Sequence, residues 1–280
     1  MKGKNVVITG GNAGIGLGTA VALAKQGANI FIVARSKDKA EKAVKEIKHE
    51  GGNGNVHYFL ADLSSQKSIR LLAEEIRKKL HVIDVLINNA GGTFTDFELT
   101  EDGLEKTIAT NHFAYFLLTN LLLDLVKKSD YARIINVASG SHYRGKIDFE
   151  SFTKNKSHFV MKAYGQSKLA NVLFTNELAE RLRGTNVTVN SLHPGMVKTQ
   201  IGNKGATWYS SLVWSLATLA GISVEQGAKT SVYLASSPEV KGVTGKYFDK
   251  CKEKTPSTLA LDKALGKELW KRSEELCPLS

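Results

Sequence analysis

Asn5-Val-Val-Ile-Thr9 runs straight into Gly10-Gly11-Asn12-Ala13-Gly14-Ile15-Gly16, and a helix-forming stretch continues from Gly14 to Lys25. The first run is short and rich in β-branched apolar residues, the mark of a buried strand. The glycines permit a tight turn and let the backbone come close to a phosphate. A helix opening at Gly14 would aim its free N–H groups and positive dipole end at that phosphate. A glycine cluster alone is weak evidence, and a ligand-free turn is the competing reading. Set between a strand and a helix, it predicts a pyrophosphate site built on Gly10, Asn12, Gly14, Ile15 and Gly16.

Beyond this turn the chain alternates apolar runs with amphipathic stretches. Strands are predicted at Asn29–Ala34, Val56–Leu60, Val85–Asn88, Arg133–Ser139, Val187–Leu192 and Lys246–Phe248. Helices are predicted at Ser36–Glu50, with Ser36 as N-cap, and at about Ser65–Leu80, Glu101–Lys128, Ala163–Arg183 and Thr258–Leu276. Strands separated by helices predict an α/β fold with a doubly wound parallel sheet covered on both faces. Only four prolines occur in 280 residues, and no Pro/Gly/Ser-rich linker divides them. Residues 1–280 therefore read as one domain.

Composition excludes several classes. Hydrophobic residues make up 42% and charged residues 23%, too apolar a balance for a disordered chain. No run is long and apolar enough to span a bilayer. Met1-Lys2-Gly3-Lys4 leads directly into a strand with no leader or anchor pattern, which predicts a cytoplasmic chain. Cys251 and Cys277 fit free thiols in a reducing compartment. The net charge of +11 could serve nucleic acid, an anionic membrane or an anionic cofactor. The basic residues are interspersed with Glu on helices, which argues for solvated faces and against nucleic acid. The seven histidines and two cysteines show no ligand spacing, so no metal site is expected.

The spacing Thr-Gly-x-x-x-Gly-x-Gly at Thr9–Gly16 resembles that of the short-chain dehydrogenase/reductase family, and the likeness extends over nearly the whole chain. It implies one Rossmann-type domain with about seven strands and a nicotinamide cofactor. At the end of the second strand an acidic residue would accept from the adenosine ribose, whereas a basic one pairs with a 2′-phosphate. Here the acidic position holds Ala34, and Arg35-Ser36 follow. A guanidinium binds phosphate bidentately, so NADP(H) is expected over NAD(H). Arg35 could also be a solvated surface residue, and Ser36 a cap alone. The resemblance further implies that Asp62 binds the adenine amino group and Leu63 flanks the ring, although Asp62 could instead cap the next helix. It runs Asn89-Ala90-Gly91 past the ribose; Asn88 and Asn89 could equally satisfy local backbone groups. Finally, it sets Pro194, Gly195, Val197 and Thr199 beside the nicotinamide.

Tyr164 and Lys168 stand four residues apart, on one face of a helix. A phenol of pKa about 10 is a poor proton donor and acceptor near neutrality. A neighbouring ammonium favours phenolate, so Lys168 is expected to lower the Tyr164 pKa. Such a pair is common on helix surfaces and gains force only from context. Ser139 supplies it, at the strand end where ligands bind in open α/β sheets. By resemblance Tyr164 is the acid/base, Ser139 polarises the carbonyl, Lys168 also holds the nicotinamide ribose, and Asn111 kinks its helix and supports a water relay. His112, His142 and His193 read as structural.

From Ala206 to Val224 the chain carries no charge, and Trp208, Leu212, Leu216 and Leu219 fall at helical spacing. This is either a core-packed helix or an apolar substrate lid, spanning about 200–225, that touches a membrane surface. Ser141-His142, Gly145-Lys146-Ile147-Asp148-Phe149, Ser167–Phe174 and Thr244–Phe248 resemble the retinol dehydrogenase-like branch. That implies NADP(H) and an apolar retinoid-, lipid-aldehyde- or steroid-like substrate. The family also allows a homodimer. A small polar carbonyl substrate, or a non-catalytic NADPH-binding regulatory protein, is the alternative.

Overall fold

Val6, Val7 and Ile8 are fully buried, so β1 (Asn5–Thr9) has no solvent face, as a central parallel strand requires. Its side chains alternate between two apolar layers: Val7 enters one, and Val6 and Ile8 the other. The computed structural model describes residues 1–154, 159–195 and 223–279. Among them the further strands are β2 (Asn29–Ala34), β3 (Val56–Leu60), β4 (Val85–Asn88), β5 (Ala132–Val137), β6 (Val187–His193), β7 (Lys246–Asp249) and β8 (Lys252–Glu253). They form one sheet in the order β3-β2-β1-β4-β5-β6-β7-β8. Every pairing is parallel except that of β7 with β8.

Among the same described residues the α-helices are α1 (Gly14–Lys25), α2 (Lys37–Gly51), α3 (Gln66–Lys79), α4 (Lys106–Ile108), α5 (Ala114–Lys127), α6 (Val160–Arg181), α7 (Val224–Ser236) and α8 (Lys263–Leu276). Ala20, Leu23, Ile47 and Leu234 bring α1, α2 and α7 onto one face of the sheet. Ile69, Leu72, Leu118, Leu173 and Trp270 bring α3, α5, α6 and α8 onto the other. The doubly wound α/β expectation is met. β1 pairs with β2 on one side and β4 on the other, so the strand order turns around between β1 and β4. The carboxyl ends of the strands at that point are the ligand position of such sheets.

The sheet has eight strands among the described residues, where about seven were expected. β8 is two residues long and joins β7 through a two-residue loop, with Asp249 opposite Lys252. Lys250 and Cys251 both take positive φ, 52° and 61°, the backbone of a type I′ hairpin. The usual Asn-Gly signal is missing, so the hairpin left no trace in the sequence.

The long helix expected over Glu101–Lys128 is also different. It starts at Lys106, where the Glu105 carboxylate accepts from the Thr107 and Ile108 N–H groups, and it contains a π turn over Ala109–Phe113. The C-terminal helix is shorter too: a 3₁₀ turn at Thr258–Leu261 precedes α8, which Asp262 caps.

Helix α7 went unanticipated, although Ser223 and Gln226 form a capping box at its start. Its other end is held by Arg133 of β5, whose Nη1 donates to Leu234 O at 2.7 Å and Nη2 to Ser237 O at 2.8 Å. A cation there satisfies the last carbonyls and the negative end of the dipole. Among the described residues, no helix is long and apolar enough to cross a membrane.

Candidate active site

The turn after β1 is shaped by contacts that exclude side chains. Gly10 and Gly14 take left-handed φ values of 67° and 53°. A Cβ on Gly16 would lie 2.3 Å from Gly10 O, so α1 packs directly on the turn. Asn89, at the end of β4, locks the arrangement: its Nδ2 donates to Thr9 O at 2.8 Å. Thr9 Oγ1 accepts from the Asn89 and Ala90 N–H groups at 2.9 and 3.0 Å. The residue before α1 is Ala13, which has no side chain able to cap the first turn. Backbone N–H groups at Gly14, Ile15 and Gly16, with half-exposed Asn12 beside them, suit a pyrophosphate. The cradle fits a dinucleotide.

Arg35 stands at the end of β2 with its side chain 67% exposed, and its Nη1 lies 4.0 Å from Asp62 Oδ2. At that distance the guanidinium is free to turn to a phosphate. Ser36 precedes α2 but makes no capping bond with its hydroxyl. Asp62 is not a helix cap: Ser65 holds that place on α3. Asp62 Oδ1 instead accepts from Ser64 N at 2.9 Å and Ser64 Oγ at 2.7 Å. Burial would raise its pKa, but these bonds and Arg35 outweigh that and hold the carboxyl below its ordinary value. Leu63 packs its side chain onto the α3 core layer. Asn88 is fully buried and donates to Thr119 Oγ1 and Asn136 Oδ1, a partner set internal to the fold.

Tyr164 and Lys168 share one face of α6. Lys168 is 3% exposed; its Nζ donates to Val137 O at 3.0 Å and lies 5.5 Å from the Tyr164 ring centroid. The Ser139 side chain lies near enough to the Tyr164 hydroxyl to favour its ionised form. Asn111 sits in the π turn, with its amide on Gly92 and Ser167 Oγ. Asn111 Oδ1 and Lys168 Nζ both face Gly91: a Cβ there would meet them at 3.0 and 3.5 Å. All four expected residues thus meet at the carboxyl edge of β4 and β5.

The electrostatics differ from expectation. Burial pushes the Tyr164 phenol up, and the nearby Ser139 side chain only partly opposes this. Burial pushes Lys168 down to about 7. Lys168 was expected to lower the Tyr164 pKa, but a buried lysine that readily loses its proton has little charge to lend.

Gly195, with φ of 87°, follows Pro194 just beyond β6. Val197, Thr199 and the proposed lid as far as residue 222, with Trp208, Leu212, Leu216 and Leu219, lie outside the described residues. Two histidines read as purely structural prove to bond the backbone of the serine turn. His142 Nδ1 lies 2.7 Å from Ser139 O, and His193 Nδ1 lies 3.2 Å from Gly140 N. His142 is three residues beyond the serine, a spacing that could have suggested contact.

A family profile described as short chain dehydrogenase matches residues 4–210. The chain is a short-chain dehydrogenase. Retinol dehydrogenase 13 of Homo sapiens is 44% identical over 282 residues, a match covering 99% of this chain and 85% of that protein. Retinol dehydrogenase 14 of Mus musculus is 41% identical, covering 98% and 86%. Short-chain dehydrogenase TIC 32 B of Brassica napus, a chloroplastic protein, is 39% identical, covering 98% and 89%. Among solved structures, an uncharacterized protein from Mycobacterium paratuberculosis aligns with TM-score 0.78 at 31% identity, covering 99% of this chain and 94% of that one. The NADP complex of Pseudomonas aeruginosa RhlG aligns with TM-score 0.71 at 25% identity, covering 89% and 94%. This short-chain dehydrogenase belongs to the retinol dehydrogenase-like branch and is an oxidoreductase acting on alcohols.

Proposed function

We propose that this short-chain dehydrogenase interconverts an apolar carbonyl compound and its alcohol with NADP(H), on a retinoid, lipid aldehyde or steroid-like ketone. The observation that carries the reading is Tyr164 beside the Ser139 side chain, with the buried Lys168 Nζ 5.5 Å from its ring centroid. Gly10, Asn12, Gly14, Ile15 and Gly16 hold the pyrophosphate. Arg35 and Ser36 take the 2′-phosphate, Asp62 and Leu63 the adenine, and Asn89, Ala90 and Gly91 line the ribose. Pro194, Gly195, Val197 and Thr199 border the nicotinamide. The bound nicotinamide supplies or accepts the hydride.

In reduction Ser139 Oγ donates to the carbonyl oxygen and polarises it. Tyr164, kept protonated by burial, gives its proton to the developing alkoxide. Lys168 holds the ribose side and returns the proton, and Asn111 fixes the frame on which these groups sit. In oxidation the same groups run in reverse.

The alcohol dehydrogenases that share about two-fifths of this sequence carry retinol in their names, which supports an apolar substrate. Phe159 and Met161, 66% and 48% exposed in and before the first turn of α6, supply an apolar approach to Tyr164. We assign residues 200–225 to a substrate lid able to rest on a lipid surface, within a single domain of 280 residues.

The test is NADPH oxidation with retinal, medium-chain aldehydes, a steroid ketone and a polar keto-ester, with NADH in parallel and Tyr164→Phe as control. Turnover that rises with apolar length, favours NADPH and vanishes in the variant supports the reading. Tight NADPH binding with no turnover of any carbonyl refutes it.

A further inference from the structure

Ser139 O and Gly140 N belong to the same peptide unit, and a different imidazole holds each of them. Ser139 O lies 2.7 Å from His142 Nδ1 and also accepts the His142 backbone N–H at 3.1 Å. Gly140 N–H donates to His193 Nδ1 at 3.2 Å. The chemistry fixes both tautomers. A carbonyl oxygen has no proton, so His142 Nδ1 must carry one. The bare Nε2 of His142 then accepts from Ser257 N–H, and the two atoms stand 3.2 Å apart. Gly140 N–H is a donor, so His193 Nδ1 must be bare and its proton must sit on Nε2.

We propose that His142 and His193 are positioning residues that clamp the Ser139–Gly140 peptide from both sides, in opposite neutral tautomers. The inference rests on the reading of Ser139 as the serine that meets the substrate. Ser139 has extended backbone, φ −165° and ψ 158°, and its Oγ accepts from Ser141 N. Rotation of the peptide plane that follows would pull Ser141 N–H off the Ser139 Oγ that it holds in place. His142 also ties this turn to the segment after β8. That segment is held in turn by the Tyr143 hydroxyl, which donates to Thr255 O at 2.7 Å.

Protonation breaks the hold on the peptide at His193, whereas at His142 it leaves the bond to Ser139 O and breaks the tie to Ser257. A proton on His142 Nε2 would confront Ser257 N–H, and one on His193 Nδ1 would confront Gly140 N–H. His142 is fully buried between the Tyr143 and Tyr247 rings, with centroids 4.0 and 4.6 Å away. Lys254 and His193 are the charged or titratable neighbours that oppose its protonation. Around His193, Lys254 and Lys250 oppose a proton and Asp249 favours one. Asp249 is itself paired with Lys254 at 3.0 Å.

The first test needs no substrate. Long-range proton–nitrogen correlations of the full chain labelled with ¹⁵N-histidine report each ring's tautomer, with His142→Asn and His193→Asn giving the assignments. An Nδ1–H pattern for His142 and an Nε2–H pattern for His193 at neutral pH are expected. The same tautomer for both, or a charged ring at neutral pH, overturns the proposal.

The second test is kinetic. His142→Leu and His193→Leu should each lower kcat roughly 10- to 100-fold with NADPH affinity retained, because a misplaced reacting group is costly. Asparagine places an amide nitrogen or oxygen where Nδ1 stood and should restore kcat to within about threefold of wild type. His193→Asn should also hold kcat further into acid than wild type. Equal loss with Leu and Asn, wild-type kcat with Leu, or an unshifted acid limb would overturn the clamp. If the Leu variants do not fold, the tautomers decide. If the wild type turns over no carbonyl, the proposed function fails, and the tautomers still decide the clamp.

Discussion

Asn111 and Gly92 are joined by two hydrogen bonds running in opposite directions. Gly92 N–H donates to Asn111 Oδ1 at 2.8 Å, and Asn111 Nδ2 donates to Gly92 O at 2.9 Å. The second Nδ2 hydrogen goes to Ser167 Oγ at 2.9 Å, and Ser167 lies between Tyr164 and Lys168 on α6. One side chain thus fastens the loop after β4 to the helix that carries the acid/base pair. Asn111→Leu keeps the volume but removes all three bonds. It should cost about 2–4 kcal/mol of stability and about 100-fold in kcat, measured by urea unfolding and steady-state turnover. Unchanged turnover would detach Asn111 from the reaction.

The contact between Gly16 and Gly10 sets a second expectation. A Cβ at residue 16 would sit 2.3 Å from a backbone oxygen that cannot swing away. Gly16→Ala should weaken NADPH binding at least about tenfold by deforming the turn that faces phosphate, as read by nucleotide fluorescence titration. Gly54→Ala is the control, since nothing lies within 4 Å of its Cβ position.

Lys168 makes the stability of the cofactor-free protein depend on pH. Its folded pKa is about 7, against an ordinary lysine value near 10.4 when unfolded. Between the two, the unfolded chain binds a proton that the native chain lacks, so stability rises with pH. The contribution is complete above the unfolded value and is lost as pH falls towards about 7. Lys168→Met removes the buried cation. Its stability advantage over wild type should be largest near neutrality and shrink as the pH is raised. Denaturant melts at a series of pH values would show this, and an advantage independent of pH would contradict it.

Arg133 offers a stability effect away from the chemistry. It gives two charge-assisted bonds to Leu234 O and Ser237 O at the end of α7 and is 9% exposed. Arg133→Met should destabilise by about 2–4 kcal/mol while kcat at saturating substrate stays near wild type. A large kcat defect would mean that α7 reaches the site.

The parts legible in the sequence were those governed by local pattern. The β1 apolar run, the glycine turn and the spacing of Tyr164 and Lys168 each depend on a few adjacent residues. Their meeting with Ser139 and Asn111 followed from strand ends sharing one edge of the sheet. Features set by long-range packing stayed hidden. Nothing around Lys250-Cys251 announces a hairpin, because tertiary pairing and not turn preference imposes its backbone. The direction of the Tyr164 shift was missed for a similar reason. Four residues of spacing show that a lysine is near, whereas the degree of burial that strips both groups of water emerges only from the folded core. His142 and His193 lie on different elements, and only the fold brings them to one peptide.

The π turn at Ala109–Phe113 closes with Ala114 N–H bonded to Ala109 O, five residues back. It therefore holds one residue more than an α-helical turn, and each residue advances the helical phase by about 100°. Within it, consecutive side chains serve different parts of the molecule: Asn111 grips Gly92 and Ser167, and His112 meets Ser273 Oγ of α8 at 3.0 Å. The surplus residue acts as a phase shifter, letting α5 keep its greasy side on the sheet while Asn111 turns to Gly92 and Ser167. Removing it would leave helical content almost intact and put the two ends of the helix out of step.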